Sequence, residues 1–265
     1  MVFGKRSVIT LAVLVLFLAS AYYFFVSKGI TYSWHWEQIP QMLFYYGTKT
    51  ASDTVPSLHL GVLMIGFVLT VKISVVAIIF AIILGTIVGI CRLSKEPITR
   101  AISITFVELI RNTPLLVQIY IIYFFAGSML RLSAFAAGTA ALAIFEGAYV
   151  GEIVRAGIQS IHKGQMEAAR SLGMSYGKAM RHIILPQAFK RIIPPLAGQF
   201  ISLIKDSSLV SVIALADLMF QGQQAVARTY SAFEIYFTVA ALYLIMTSAL
   251  SMATQYVERR LAVSD

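Results

Sequence analysis

Seven ionisable side chains fall within or at the ends of apolar stretches: Lys72, Glu108, Arg111, Glu146, Glu152, Lys205 and Asp206. A charge in lipid costs several kcal/mol, so such groups pair with one another, line a polar path or hold a solute. Glu108 and Arg111 stand three apart, on one helical face, and can neutralise each other. Lys205 and Asp206 are adjacent, face apart on a helix, and need partners on other helices. Glu146 and Tyr149 are also three apart, near the middle of one stretch, while Thr70 and Gln118 add hydrogen-bonding capacity. A buried ion pair between Glu146 and a lysine, holding helices together, is an equal reading of the same residues. Metal and covalent chemistry lack support. The single cysteine, Cys91, and the four histidines, His35, His59, His162 and His182, show no ligand spacing. HExxH, GxSG and paired-aspartate motifs are missing from the sequence, so no cofactor is expected.

The elements that must position these groups are membrane helices. The chain has 265 residues, 58% hydrophobic and 12% charged, against about 25% charged in soluble domains. Six apolar runs read as spans: roughly 8–26, 61–90, 102–126, 132–154, 192–215 and 233–256. Each is long enough, at ~1.5 Å per residue, to cross a hydrocarbon core of about 30 Å. The fold class is therefore an all-α integral membrane protein of about six transmembrane helices, since lipid forces backbone groups to be satisfied within each segment. The first run could be a signal peptide, with Lys5-Arg6 and a cleavage site at Ala19-Ser20-Ala21. Its continuation through Tyr22–Val26 favours a retained anchor with interfacial aromatics.

Charge asymmetry sets the orientation. With the N-terminus inside, fourteen Lys and Arg fall in inner loops and termini and four (Lys28, Lys49, Arg131, Arg228) in outer loops. Both termini are then cytoplasmic. The net charge of +9 is explained by this bias and by anionic lipid, without nucleic acid. Residues 1–60 form an anchor and an outer segment whose Trp34, Trp36, Tyr45 and Tyr46 suit an interface. Residues 61–261 form the main membrane domain. Gly85–Gly89 and Gly147–Gly151 fit the small-xxx-small pattern of close helix packing.

The inner connection 159–191 is too polar to span and too patterned for a floppy loop. Gln165–Leu172 has good helix formers, Gly173 suits a turn, and Ser175 is placed to cap a second short helix that Pro186 ends. Alone, this could be a basic helix on anionic lipid, or Glu167 could simply pair with Lys163.

Four blocks change that reading. They are Arg111-Asn112-Thr113-Pro114-Leu115-Leu116-Val117-Gln118; Gly147 through Ile158; Glu167-Ala168-Ala169, with Gly173 and Ile184-Leu185-Pro186-Gln187-Ala188; and Lys205-Asp206-Ser207-Ser208-Leu209-Val210. In this order and spacing the chain resembles the membrane permease subunits of bacterial ABC importers of the polar amino-acid branch, over about three-quarters of its length. The resemblance implies a five-helix core, to which the first span is an addition. It implies a bacterial inner-membrane location, a second permease subunit (the same or a similar chain), a dimer of cytoplasmic ABC ATPases and an extracytoplasmic solute-binding protein. The sequence has no GxxxxGK[ST] loop of its own, so a nucleotide site of that kind would belong to a separate subunit and the chain would not be an enzyme.

The same resemblance assigns roles. Glu167, Ala168, Ala169, Gly173 and Pro186 would couple to the ATPase. A zwitterionic amino acid needs a carboxylate for its ammonium and a cation or donor for its carboxylate. Thr70, Lys72, Gln118, Glu146, Tyr149 and Lys205 are the candidates. Glu108, Arg111, Glu152 and Asp206 are candidates for structure or gating. The Phe145–Tyr149 variant resembles members that handle acidic amino acids; the Lys-Asp-Ser-Ser block resembles glutamine and arginine members. An ion-coupled secondary carrier is the alternative, and it leaves the inner loop unexplained.

Overall fold

The computed structural model describes residues 32–47 and 57–262, plus the isolated positions Leu16, Ala19, Ser20 and Tyr23. Apart from those four positions, the first expected span, 8–26, lies outside the described residues. Residues up to Trp36 form a unit separate from residues 37–265; within it Trp34 stacks on Trp36 with ring centroids 5.9 Å apart. In the second unit a short helix α1 (Ile39–Leu43) precedes an antiparallel hairpin, β1 (Phe44–Gly47) and β2 (Ser57–Leu60), in which Tyr45 faces His59.

The rest is helical: α2 (Val62–Arg92), α3 (Pro97–Arg111), α4 (Leu115–Leu130), α5 (Ala134–Gln159), α6 (Lys163–Ser171), α7 (Tyr176–Ile213), α8 (Leu218–Thr229) and α9 (Ala232–Ala262). Among the described residues four helices, in α2, α5, α7 and α9, are long and apolar enough to cross a membrane. A fifth span is possible if α3 and α4 together make one.

Those two helices show that the run expected as one span over 102–126 is sharply bent. They meet at 105°. Pro114 offers no N–H and restricts Thr113 before it, so the helix ends there. The carbonyls freed at the end are taken up by side chains. Asn112 donates to Glu108 O (2.8 Å), Thr113 to Leu109 O (2.8 Å) and Gln118 to Ile110 O (2.8 Å) and Thr113 O (3.1 Å). These are the acceptors a helix C-terminus leaves unsatisfied, and lipid would supply no donors in their place.

A correction concerns Pro186. It does not end a helix; α7 runs through it and through Pro194 and Pro195. A π-helical stretch, Met180–Ile184, precedes it and widens the backbone where the proline ring would otherwise press on the preceding turn. Gln187 adds a side-chain bond to Ile183 O (2.8 Å). The short second helix expected after Gly173 is thus the first turn of α7, and Ser175 does cap it, accepting from Lys178 N.

The main core lies among α2, α4, α5 and α7, where Ile73, Ala77, Ile119, Leu142, Leu203 and Val210 pack together. Close approach of α2 to α5 depends on glycine. A Cβ on Gly85 would lie 2.7 Å from Gly147 O and 2.5 Å from Val150 Cβ; one on Gly89 would lie 2.7 Å from Gly151 O. The two small-residue patterns therefore face each other, and contact through backbone replaces side-chain interdigitation. A separate cluster (Leu63, Leu218, Ile235, Val239) joins α2, α8 and α9 at the opposite end from the α5–α7 connection.

Candidate functional site

Two sites emerge, one on the inter-helix connection and one inside the bundle. On the connection, α6 is capped by His162, whose Nδ1 accepts from Gly164 N (3.1 Å). It closes at Gly173, which has φ +82°, a left-handed conformation that glycine adopts without cost. Met166 and Ala169 turn inward; Ala169 is 4% exposed, and Met166 packs with Ile161, Ile184 and Ala188. Ala169 thus seats the helix on its own chain, which is a correction to its expected role as a surface contact. Outward it presents Glu167, Ala168, Gly173 and Leu172, the last 85% exposed. Pro186 is also exposed. Among the described residues no Glu167–Lys163 ion pair forms. Sequence reasoning passed over Leu172, an apolar side chain in a basic loop and the clearest sign of an unpartnered surface.

Inside the bundle, Glu146 of α5 is 1% exposed, and its Oε1 has no hydrogen-bond partner. Gln199 of α7 is within bonding reach of the carboxyl, and the Asp206 carboxyl, half-buried two turns further along α7, is close enough to act on it electrostatically. Gln199, Leu203 and Asp206 share one helical face. Gln199 was not among the expected residues. Lys205 is exposed at the edge of this group.

Several expected members lie elsewhere. Lys72 is exposed on α2. Thr70 is fully buried and accepts from Leu218 N (3.0 Å), joining α2 to α8. Gln118 is committed to the helix break described above. Tyr149 is half-buried beneath the Arg111 guanidinium, 4.9 Å from ring centroid to Cζ, a cation–π contact. Glu108 does not neutralise Arg111; it accepts from the Asn112 amide (3.1 Å).

Glu152 gathers a third group at the connection end of the bundle. It forms ion pairs with Arg92 of α2 and Arg155 of its own helix. Arg155 also donates to Gln159, and Arg191 of α7 donates to Ser160 O. One carboxylate thus links the ends of α2 and α5, and a further bond ties the exit of α5 to α7. Among the described residues no cluster of His, Cys, Asp or Glu could hold a metal ion.

Near the opposite end, buried Asp217 caps α8, accepting from Phe220 N (2.9 Å). Its second oxygen is unpartnered, and the Tyr243 hydroxyl of α9 lies beside it and Thr70. Burial pushes its carboxyl up to about 6, opposed by hydrogen bonds from the α8 backbone.

A bent multi-helix bundle, a folded surface helix on the connection between α5 and α7 and a buried polar centre define a multi-pass membrane permease subunit. Residues 81–263 match the family described as "Binding-protein-dependent transport system inner membrane component", and the chain belongs to that family. It is 45% identical over 202 residues to the probable glutamine ABC transporter permease protein GlnM of Bacillus subtilis (strain 168), covering 76% of this chain and 94% of that protein. It is 40% identical to the glutamine transport system permease protein GlnP of Escherichia coli (strain K12), covering 75% and 92%. Among solved structures, the crystal structure of an amino acid ABC transporter with histidines superposes with a TM-score of 0.70 at 41% identity, covering 75% of this chain and 94% of that one. These likenesses bear out the ABC permease reading and lend nothing to the ion-coupled carrier.

Proposed function

We propose that this chain is the membrane-spanning subunit of an importer that moves a polar L-amino acid of the glutamine or arginine kind into the cytoplasm. A separate ATPase pair drives it, and an extracytoplasmic binding protein delivers the solute. The observation that carries the reading is the pairing of two features in one chain: a helix held outward on the bundle and a buried polar centre with an unsatisfied carboxyl oxygen. Glu146 receives the ammonium group or the side-chain donors of the solute, Gln199 and Asp206 fix its orientation, and Lys205 meets its carboxylate. Two carboxyls in one centre disfavour an acidic side chain, because like charges repel at short range. Relatives named for glutamine and for arginine transport, both from Bacillus subtilis (strain 168), agree with this.

Glu167, Ala168, Leu172 and Gly173 form the surface that enters a groove on the ATPase; α6 and the start of α7 move with it. Both termini face the cytoplasm, and a second permease subunit completes the path. Alternating access follows as packed helices rock about the centre. The test is affinity purification in mild detergent of the parent and of the Glu167→Lys, Gly173→Asp double variant, with assay of solute uptake in vesicles. Recovery of a Walker-motif ATPase with the parent and its loss in the variant is the expected result. Full uptake by the variant overturns the docking surface, and independence of uptake from ATP overturns the whole reading.

A further inference from the structure

We propose that the crevice between α2, α5 and the start of α7 binds one anionic glycerophospholipid of the surrounding bilayer, acyl chain inward and headgroup at the rim. The crevice encloses about 790 Å³, within the ~300–1,000 Å³ of sites that bury a small ligand. Its walls are mostly apolar, from Ile90, Val154, Ile158, Phe189 and Ile192, with Thr86 among them. Ile90 and Phe189 are more than half exposed, at 56% and 57%, so the opening lies on the outer surface of the bundle. Apart from Thr86, its hydroxyl-bearing lining residues are Ser94 and Thr99, at the turn from α2 to α3, and Tyr176, at the start of α7.

Water is a poor occupant. A site of this size lined by hydrocarbon offers a water molecule too few partners and stays dry. A dry void forfeits dispersion contacts along every wall. In a bilayer the abundant group that fits is an acyl chain, and the polar end fixes which way the lipid enters. That end is strongly cationic. Lys95 and Arg100 flank Ser94 and Thr99, while Lys178 and Arg181 flank Tyr176 and Met180; all four are exposed, and none joins an ion pair among the described residues. Glu96 is the one acid in that local sequence. Charge complementarity therefore selects an anionic headgroup over a zwitterionic one. Because Tyr176 and Met180 belong to the first turns of α7, a bound lipid touches the segment that carries α6. The inference requires membrane residence and does not depend on which solute is moved.

The test is native mass spectrometry of the full transporter complex released from nanodiscs containing phosphatidylglycerol and phosphatidylethanolamine. We expect phosphatidylglycerol to be retained, one per copy of this chain. Thr86→Phe, which fills the crevice, should abolish retention; Ile90→Trp, at an exposed wall, does the same where Thr86→Phe fails to assemble. Lys95→Glu with Arg100→Glu, at exposed rim positions, should remove the preference for phosphatidylglycerol. Co-purification of the ATPase reports that each variant is folded. A parent complex that retains no lipid overturns the proposal, as it would if a second copy of the chain closed the crevice. Equal retention of both lipids, retention surviving the filling variants, or preference surviving the rim reversal also overturns it.

Discussion

At the residue scale, the proposed site rests on an unpaired buried oxygen, Oε1 of Glu146. Among the described residues Glu146 joins no ion pair, so the reading in which it pairs with a lysine is not supported; its neighbours are an amide and a second carboxyl. A charge-assisted hydrogen bond to a solute contributes about 1.5–3 kcal/mol. Glu146→Gln should therefore weaken uptake roughly 10- to 100-fold in reconstituted vesicles while the ATPase still co-purifies; unchanged KM and rate would remove Glu146 from the site. Asp217 offers a different test. Its folded value near 6 lies above the usual carboxylate range because burial disfavours the charge. The unfolded chain releases that proton first, so folded stability falls as pH rises through the window from about 4 to about 6. The penalty above it approaches about 3 kcal/mol. Asp217→Asn keeps the helix cap and should flatten this fall, read as the melting midpoint in detergent across pH 4 to 8; an equal fall in the variant would exclude Asp217 as its source. Glu146 was legible in the sequence because a carboxylate stands out in an apolar run. Gln199 was not, since an amide beside Gly198 in a helix asks for no special explanation. The hydrogen-bond partners of Thr70 and Gln118 were not legible, because they include backbone groups that only the helix break and the α2–α8 contact bring within reach.

At the scale of elements, periodicity located α2, α5 and α9 within a few residues, since long apolar runs have one stable form in lipid. The two elements it misjudged both turn on proline. Pro114 broke an apparent span because three side chains were at hand to satisfy the freed carbonyls. Pro186 failed to break α7 because a π-helical stretch absorbed its ring. Proline is a single signal in sequence, and its outcome depends on neighbouring donors and on backbone slack. The glycine patterns were legible as packing motifs, but which helices they join was not. Their facing arrangement makes a sharp prediction. Gly85→Leu drives a side chain into Val150 and the Gly147 carbonyl, overpacking that costs about 1–3 kcal/mol or more. The variant should show a lower melting midpoint, whereas Gly198→Leu, where an added Cβ meets nothing within 4 Å, should leave the isolated chain's midpoint unchanged. A comparable loss in both would mean that α2 and α5 do not pack through Gly85.

At the scale of the whole molecule, the question is how a helix on the surface reaches a carboxyl in the core. The route is short. α6 sits on Ile161, Ile184 and Ala188 through Met166, and α7 continues as one helix from that contact to Gln199 and Asp206. In the proposed mechanism, motion of α6 would shift one wall of the buried centre relative to Glu146 on α5. Such a lever works only if α5 does not follow α7, and the polar cluster at its exit governs that. Glu152 holds α5 to Arg92 of α2, while Arg191 holds α7 to the Ser160 carbonyl just beyond α5. We expect Glu152→Ala to release α5 from α2, leaving Arg92 and Arg155 unpaired and mutually repelling. ATP hydrolysis should then continue while solute moved per ATP falls about fivefold or more, the scale of a typical coupling free energy. Hydrolysis and uptake falling together would instead mark Glu152 as a residue needed for assembly, and the lever would have to run through α7 alone.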